Sequence, residues 1–356
     1  MTSTPIMQLF TKTLAENFLA AQKKCDDIGV SLRPHIKTLH HPSIADQLKS
    51  LGLNKICVSN IDMLRLFLAA GYNDICLAIP CSPTWVPDIN KILNKFSVNL
   101  TLYVDHLDQL SAISELSSKV NVMIEIDAGQ ARSGINWKHE SRVRALIDYI
   151  NESKHSFAGI TAHFGHHYDC PTSSDVVNEM GFSMMRVLQL KEHLERDLGA
   201  VIDLAIGDTP SFLASQYFDQ VKEVRSGNFL LNDLTIHRKG LCELNQIGCA
   251  IKSTILSKFD DDLRIVLHVG SVHLSKEKHI DDDISYGWVC QSIGEGLGQY
   301  VEGAKIIDLY QEHAVLVVPA HTFHSLNIGD SLQVLPVHSC LAMDAMVHKN
   351  KFQLIE

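Results

Sequence analysis

No stretch of this 356-residue chain approaches the roughly 18 to 20 apolar residues that a membrane-spanning helix needs. Met1 to Phe10 holds neither a positively charged patch nor a long apolar segment behind it, so no secretory leader is expected. Basic stripes are absent too, and a formal net charge of -10 argues against a partner that is a nucleic-acid backbone. There is no Gly-rich dinucleotide fingerprint after an early strand, no internal repeat and no low-complexity linker. The nine cysteines are odd in number and widely scattered, which suits reduced thiols better than a disulfide framework. Cys57 and Cys76, inside apolar runs, read as small core residues. What remains is the expectation of a soluble, cytoplasmic protein of ordinary composition, 46% hydrophobic and 20% charged, that touches neither nucleic acid nor membrane.

What is present is a regular alternation. Short apolar, β-branched runs at Leu32–Lys37, Lys55–Ser59, Asp74–Ile79, Val98–Val104, Asn121–Asp127, Phe157–His163, Val201–Gly207 and Val221–Arg225 are separated by amphipathic stretches such as Glu140–Glu152 and Ser174–Leu198. Eight strands with a helix between each pair predict an α/β fold, a closed eight-stranded parallel β/α (TIM-like) barrel. An open doubly wound sheet is the alternative, and the missing dinucleotide fingerprint counts against it. Beyond about Asn232 the texture changes to strands such as Ile247–Leu256, Leu263–His268 and Ser331–Leu335, and good helices disappear. The predicted organisation is a barrel over residues 12–232 and a mostly β C-terminal domain over 233–356, with residues 1–11 free to pack with the latter.

In such a barrel the chemistry lies at the C-terminal ends of the strands. Those ends are polar here: His35 and Lys37 follow the first, Arg132 the fifth, His163 and Tyr168 the sixth, Thr209 the seventh, and Arg225, Gly227 and Asn228 the eighth. Gly207-Asp208-Thr209-Pro210 ends the seventh strand and opens a helix, and Ser226-Gly227-Asn228 follows the eighth, the two positions where barrels often bind phosphate. Either loop alone is more often an ordinary turn; the pair is more specific. Lys37 ends an apolar strand, where a partly desolvated amine could attack a carbonyl, although a lone lysine at a strand end is more often simply solvated. His338 and Cys340 lie two apart just after a strand; if strand geometry persists they face one side and could share a metal, with zinc the match for imidazole and thiolate. Taken alone, that pair is more often unrelated core residues.

The segment Arg33-Pro34-His35-Ile36-Lys37-Thr38 resembles the cofactor-lysine segment of the D-threonine aldolase and D-serine dehydratase family, alanine-racemase-like (fold type III) pyridoxal enzymes. The resemblance continues in order through Asn17, Glu125-Ile126-Asp127-Ala128-Gly129, Arg132-Ser133-Gly134, Ala162-His163 with Tyr168, Gly207-Asp208-Thr209-Pro210, Glu223-Val224-Arg225-Ser226-Gly227-Asn228, Glu312-His313 and Pro336-Val337-His338-Ser339-Cys340. It implies pyridoxal 5′-phosphate held covalently by Lys37, with Lys37, His35 and His163 as candidate catalytic side chains. Thr209, Gly227 and Asn228 would cradle the phosphate, while Arg132 and Tyr168 would lie near the ring. It further implies a divalent metal at His338 and Cys340; the Cys resembles zinc-dependent dehydratases, where an Asp would resemble manganese-using aldolases. The chain departs from the family pattern at Leu39, His40, Asp208 and Phe229, and the carboxylate of Asp208 is unfavourable beside a phosphate unless it points away. The implied activity is β-elimination from a small D-3-hydroxy amino acid, or its aldol cleavage. Racemisation and a pyridoxal-binding protein with little turnover are the alternatives, and a homodimer is the implied assembly.

Overall fold

The computed structural model describes residues 4–280, 284–291 and 296–356. It divides into two compact units, Ala21–Gly227 and Met1–Ala20 with Asn228–Glu356. The strands in chain order are β1 (Ile6–Phe10), β2 (Ser31–Leu32), β3 (Lys55–Val58), β4 (Asp74–Pro80), β5 (Asn99–Val104), β6 (Asn121–Asp127), β7 (Ile135–Asn136), β8 (Ser156–His163), β9 (Leu204–Gly207) and β10 (Glu223–Val224). After these come β11 (Cys249–Phe259), β12 (Arg264–Leu267), β13 (His279–Ile280), β14 (Ile284–Ser285), β15 (Gly287–Gln291), β16 (Gln299–Leu309), β17 (Ala314–Val317), β18 (Ser331–Pro336) and β19 (Phe352–Ile355).

In the first unit, β2-β10-β9-β8-β6-β5-β4-β3 form one all-parallel sheet, with β7 paired on the side of β6. The sheet closes on itself through a parallel bridge from His35 to Cys57, where Ile36 N donates to Cys57 O at 3.0 Å and Cys57 N to Pro34 O at 2.9 Å. This is the expected eight-stranded TIM-like barrel. β2 is shorter than the predicted Leu32–Lys37, but pairing runs on beyond it: Arg33 N donates to Val224 O at 2.9 Å and His35 N to Ser226 O at 3.0 Å, while Pro34, which has no N–H, takes part only as an acceptor. The long helix Ser173–Leu198 begins at a Thr172–Asp175 capping box and ends where Gly199 turns left-handed at φ 63°.

In the second unit, β12, β17, β16, β15, β18 and β11 form an antiparallel ring closed by β11 pairing with β12. β1 pairs antiparallel with β11 and parallel with β19. The expectation that good helices disappear after Asn232 is overturned by Ala320–Ser325 and Ser339–His348. The latter was hidden because its apolar residues are not confined to one stripe, so no amphipathic period shows. Among the described residues no helix is long and apolar enough to cross a membrane.

Candidate active site

The C-terminal mouth of the barrel holds a cavity of about 390 Å³ whose walls include His35, Lys37, Glu125, Arg132, His163 and Arg225. Lys37 arrives there because the bridge that closes the barrel fixes His35, two residues earlier. Its carbonyl accepts a 2.8 Å hydrogen bond from His40 Nδ1, so the departure at position 40 shapes the turn that carries the lysine. The amine itself is exposed at the mouth.

Two imidazoles stand beside it. Burial, reinforced by Lys37 and His163, holds His35 well below the usual histidine pKa, and its Nδ1 is buried without a hydrogen-bond partner. Burial, with Arg132 adding to it against the pull of Asp208, pushes His163 down to about 4. Both rings are thus neutral near pH 7 and act as hydrogen-bonding groups rather than as charges. Glu125 is buried 3.9 Å from half-exposed Arg132; burial raises its carboxyl against the opposing effects of Ser133 and Arg132, and its Oε2 is left without a partner.

Arg225, placed at the end of the eighth strand by the sequence but given no role there, is a fixed cation lining this cavity. Its Nε donates to Glu223 Oε1 at 2.7 Å, and its Nη1 donates to Tyr103 Oη and, at 3.4 Å, to Cys76 Sγ. Glu223 lies in β10 and Arg225 just beyond its end; two residues apart along extended chain, their side chains face the same side.

The loops after β9 and β10 meet where Thr209 Oγ1 lies 2.8 Å from Ser226 Oγ. Gly227 is enforced by packing, since a Cβ there would come within 2.1 Å of His35 O. Asp208 points away from this junction: it caps the helix Thr209–Ala214 by accepting from Ser211 N at 2.7 Å. Tyr168 sits on the turn Gly165–Asp169 and is not among the residues lining the cavity. Unpartnered buried atoms on His35 and Glu125, a flexible amine and a hydroxyl-lined junction of two loops fit an aldehyde cofactor with a phosphate arm.

The second unit carries the His338 cluster. β18 ends at Pro336, so strand geometry does not persist; His338 is instead the extended cap of the helix Ser339–His348, and Cys340 lies in its first turn. The cap nonetheless brings the imidazole and the thiol within hydrogen-bonding reach of each other. Asp233, fully buried, organises the cluster: its Oδ2 accepts from His338 Nδ1 at 2.8 Å, Ser339 N at 3.0 Å and Asn228 Nδ2 at 2.7 Å. Burial pushes the Asp233 carboxyl up, but His338 and Asn228 outweigh it and hold it below the usual range. Asn228, predicted at the phosphate, spends its side chain here, its Oδ1 accepting from Ser339 Oγ at 2.6 Å. Asn17 fixes the same turn by donating to the carbonyls of Leu230 (3.2 Å) and Gln246 (2.9 Å). A carboxylate on Nδ1 turns Nε2 outward beside a thiol, the donor arrangement of a zinc site with its outer bracing. Sequence alone could not name Asp233, because it meets His338 across 105 positions of chain.

Residues 11–233 match a family model described as alanine racemase, N-terminal domain, and residues 248–349 one described as a putative serine dehydratase domain. The D-threo-3-hydroxyaspartate dehydratase of Delftia sp. (strain HT23) is 26% identical over 349 residues, covering 95% of this chain and 90% of that one. The D-serine dehydratase of Dictyostelium discoideum is 26% identical over 371 residues with the same coverage, and the D-threonine aldolase of Arthrobacter sp 25% over 354 residues, covering 93% and 89%. The solved structure of the Delftia dehydratase aligns with a TM-score of 0.87 at 24% identity, over 97% of this chain and 93% of its own, a likeness of fold.

Proposed function

The chain belongs to the alanine racemase N-terminal domain family, and on that premise we propose that it is a pyridoxal-phosphate-dependent, metal-assisted lyase of D-3-hydroxy amino acids, a dehydratase first and an aldolase second. The observation that carries the proposal is the convergence of Lys37, two neutral imidazoles and two guanidinium groups on one cavity at the barrel mouth. The three curated relatives, all named as dehydratases or aldolases of D-amino acids, supply the reaction class.

Pyridoxal phosphate held at Lys37, Thr209, Ser226 and Gly227 would supply an electron sink for charge at the substrate Cα, and zinc at His338 and Cys340 a Lewis acid for the β-oxygen. The chain's own groups do the rest. Lys37 Nζ takes the Cα proton, being the flexible amine in the cavity. Arg132, half-exposed and 3.9 Å from its carboxylate neighbour, offers a cation to the substrate carboxylate. His35 and His163 orient the substrate by hydrogen bonds without adding charge. Arg225 keeps a positive charge fixed on the cavity wall, held there by Glu223.

The test is product identification from D-serine, D-threonine and D-threo-3-hydroxyaspartate, with and without a chelator. A 2-oxo acid and ammonia, lost on chelation, is the expected outcome. Glycine with an aldehyde would move the assignment to aldol cleavage, and an L-enantiomer formed regardless of chelator would replace the lyase by a racemase. A Lys37→Ala chain that keeps the yellow absorbance of bound cofactor through dialysis would refute the role of Lys37.

A further inference from the structure

Asp208 stands between Gly207, which lines the barrel-mouth cavity, and Thr209, whose hydroxyl joins Ser226 across the two loops. A carboxylate at this point of the chain adds negative charge to a pair of loops suited to an anion. The backbone at Asp208 is extended, with φ -173° and ψ 157°, so its side chain leaves on the side opposite to its neighbours'. There both oxygens are accounted for differently. Oδ1 accepts from Ser211 N at 2.7 Å. Oδ2 is buried without a hydrogen bond, and the basic group against it is His167 Nδ1, 3.6 Å away.

His167 cannot drift from that place. Its side chain is 0% exposed and that of Asp208 1%. The ring is clamped at both nitrogens, Nδ1 at 2.5 Å from Ser211 Oγ and Nε2 at 3.2 Å from Ser183 Oγ. Phe164 packs on it as well, with ring centroids 5.2 Å apart. The charge on Asp208 still reaches the cavity, because it opposes the depression of the His163 pKa there. A buried carboxylate left loose at this position would repel any anion bound by the adjoining loops.

We propose that His167 is a positioning residue for cofactor binding: together with Ser211 it holds the Asp208 carboxylate turned away from the Gly207–Thr209 and Ser226–Gly227 loops, so that those loops accept a phosphate. The inference rests on the pyridoxal-phosphate site proposed above. It accounts for how this chain carries an acid at a position where it departs from the family pattern, since Asp208 caps a helix through one oxygen while the other is held against His167.

The experiment compares pyridoxal phosphate with pyridoxal, which has the same ring and aldehyde but no phosphate, by absorbance titration of the full-length apoprotein. In His167→Gln the affinity for pyridoxal phosphate falls by about tenfold relative to that for pyridoxal, the size of one added like-charge contact. In His167→Gln/Asp208→Asn the ratio returns to the wild-type value, because Asn keeps the helix cap and carries no charge. Equal loss for both ligands, or a double variant that stays as weak as the single one, overturns the proposal. Should His167→Gln fail to fold, Ser211→Ala removes only the hydroxyl beside the ring and shifts the ratio in the same direction by a smaller factor; an unchanged ratio overturns the proposal equally. A wild-type chain that binds neither ligand overturns the cofactor assignment itself, a result distinct from these.

Discussion

Glu223 Oε1 lies 2.7 Å from Arg225 Nε inside the barrel, and the same oxygen lies 2.9 Å from Arg33 Nε. Arg33 is tied in turn to Asp74 Oδ1 at 2.7 Å, so two guanidinium groups and two carboxylates form one network. Burial pushes the Glu223 carboxyl up, but Arg225 and Arg33 outweigh it and hold it below the ordinary carboxylate value. Its contribution to stability is therefore complete above the unfolded carboxylate pKa and lost as pH falls through the lower folded value. Glu223→Gln leaves two buried guanidinium groups short of an anion and is expected to cost about 3–5 kcal/mol. Thermal unfolding at pH 7 and at pH 4 measures it, and the gap between variant and wild type should narrow at the lower pH. An equal unfolding midpoint at pH 7 would show that the network carries no such load.

Gly227 offers a sharper steric test. A methyl group there meets His35 O at 2.1 Å, and backbone at that distance cannot swing aside as a side-chain tip can. Gly227→Ala must therefore push apart the loop after β10 and the segment that closes the barrel. The expected result is a loss of about 1–3 kcal/mol together with weakened cofactor binding, read by chemical denaturation and by absorbance titration. A variant with unchanged binding would mean the loop relaxes without disturbing Lys37.

Much of the barrel was legible because period and punctuation agree. Asn121–Asp127 and Glu140–Glu152 end where the sequence places them, each an apolar pattern bounded by polar residues. The ends of β2 and β9 were not. Pro34 has no N–H to donate, so beyond Leu32 the pairing continues without a regular two-sided ladder, and Val201, apolar but 87% exposed, lies before β9 begins. β1 escaped because all five of its residues are buried, leaving no alternation to read. In the candidate site, strand-end position put Lys37, His35, Arg132 and His163 at one end of the barrel, and all four line the cavity there. It could not find Asp233, whose role exists only once 105 residues of chain have folded back. Asn228 illustrates the converse: its loop is where a phosphate-binding reading puts it, while its side chain is committed to Asp233 and Ser339.

Asp233→Asn tests that bracing. Asparagine can still cap the helix Leu234–Arg238, where Asp233 Oδ1 accepts from Ile236 N at 3.0 Å. It cannot supply the anion that fixes His338 Nδ1. Zinc affinity should fall by roughly 10–100-fold, as for other outer partners of metal-bound histidines. Competition with a chelating dye gives the affinity directly, and the far-ultraviolet spectrum should stay that of the wild type. Undiminished affinity would show that Asp233 does not brace the proposed metal site at His338 and Cys340.

The depressed histidines make the last prediction. His163 has a folded pKa of about 4 against an unfolded value near 6.5, so between those limits the unfolded chain binds a proton that the native chain refuses. Stability then falls as pH is lowered through that window and is insensitive to His163 above it. His163→Asn should flatten this part of the pH–stability curve, and the imidazole carbon signals of His163 in the native protein should not titrate between about pH 5 and 8. For the same reason neither His35 nor His163 should give kcat/KM an inflection in that range, because both rings are already neutral. An inflection near pH 6.5 that vanishes in His163→Asn would mean the ring is hydrated and charged in solution, and the cavity would then hold a cation more than its burial allows.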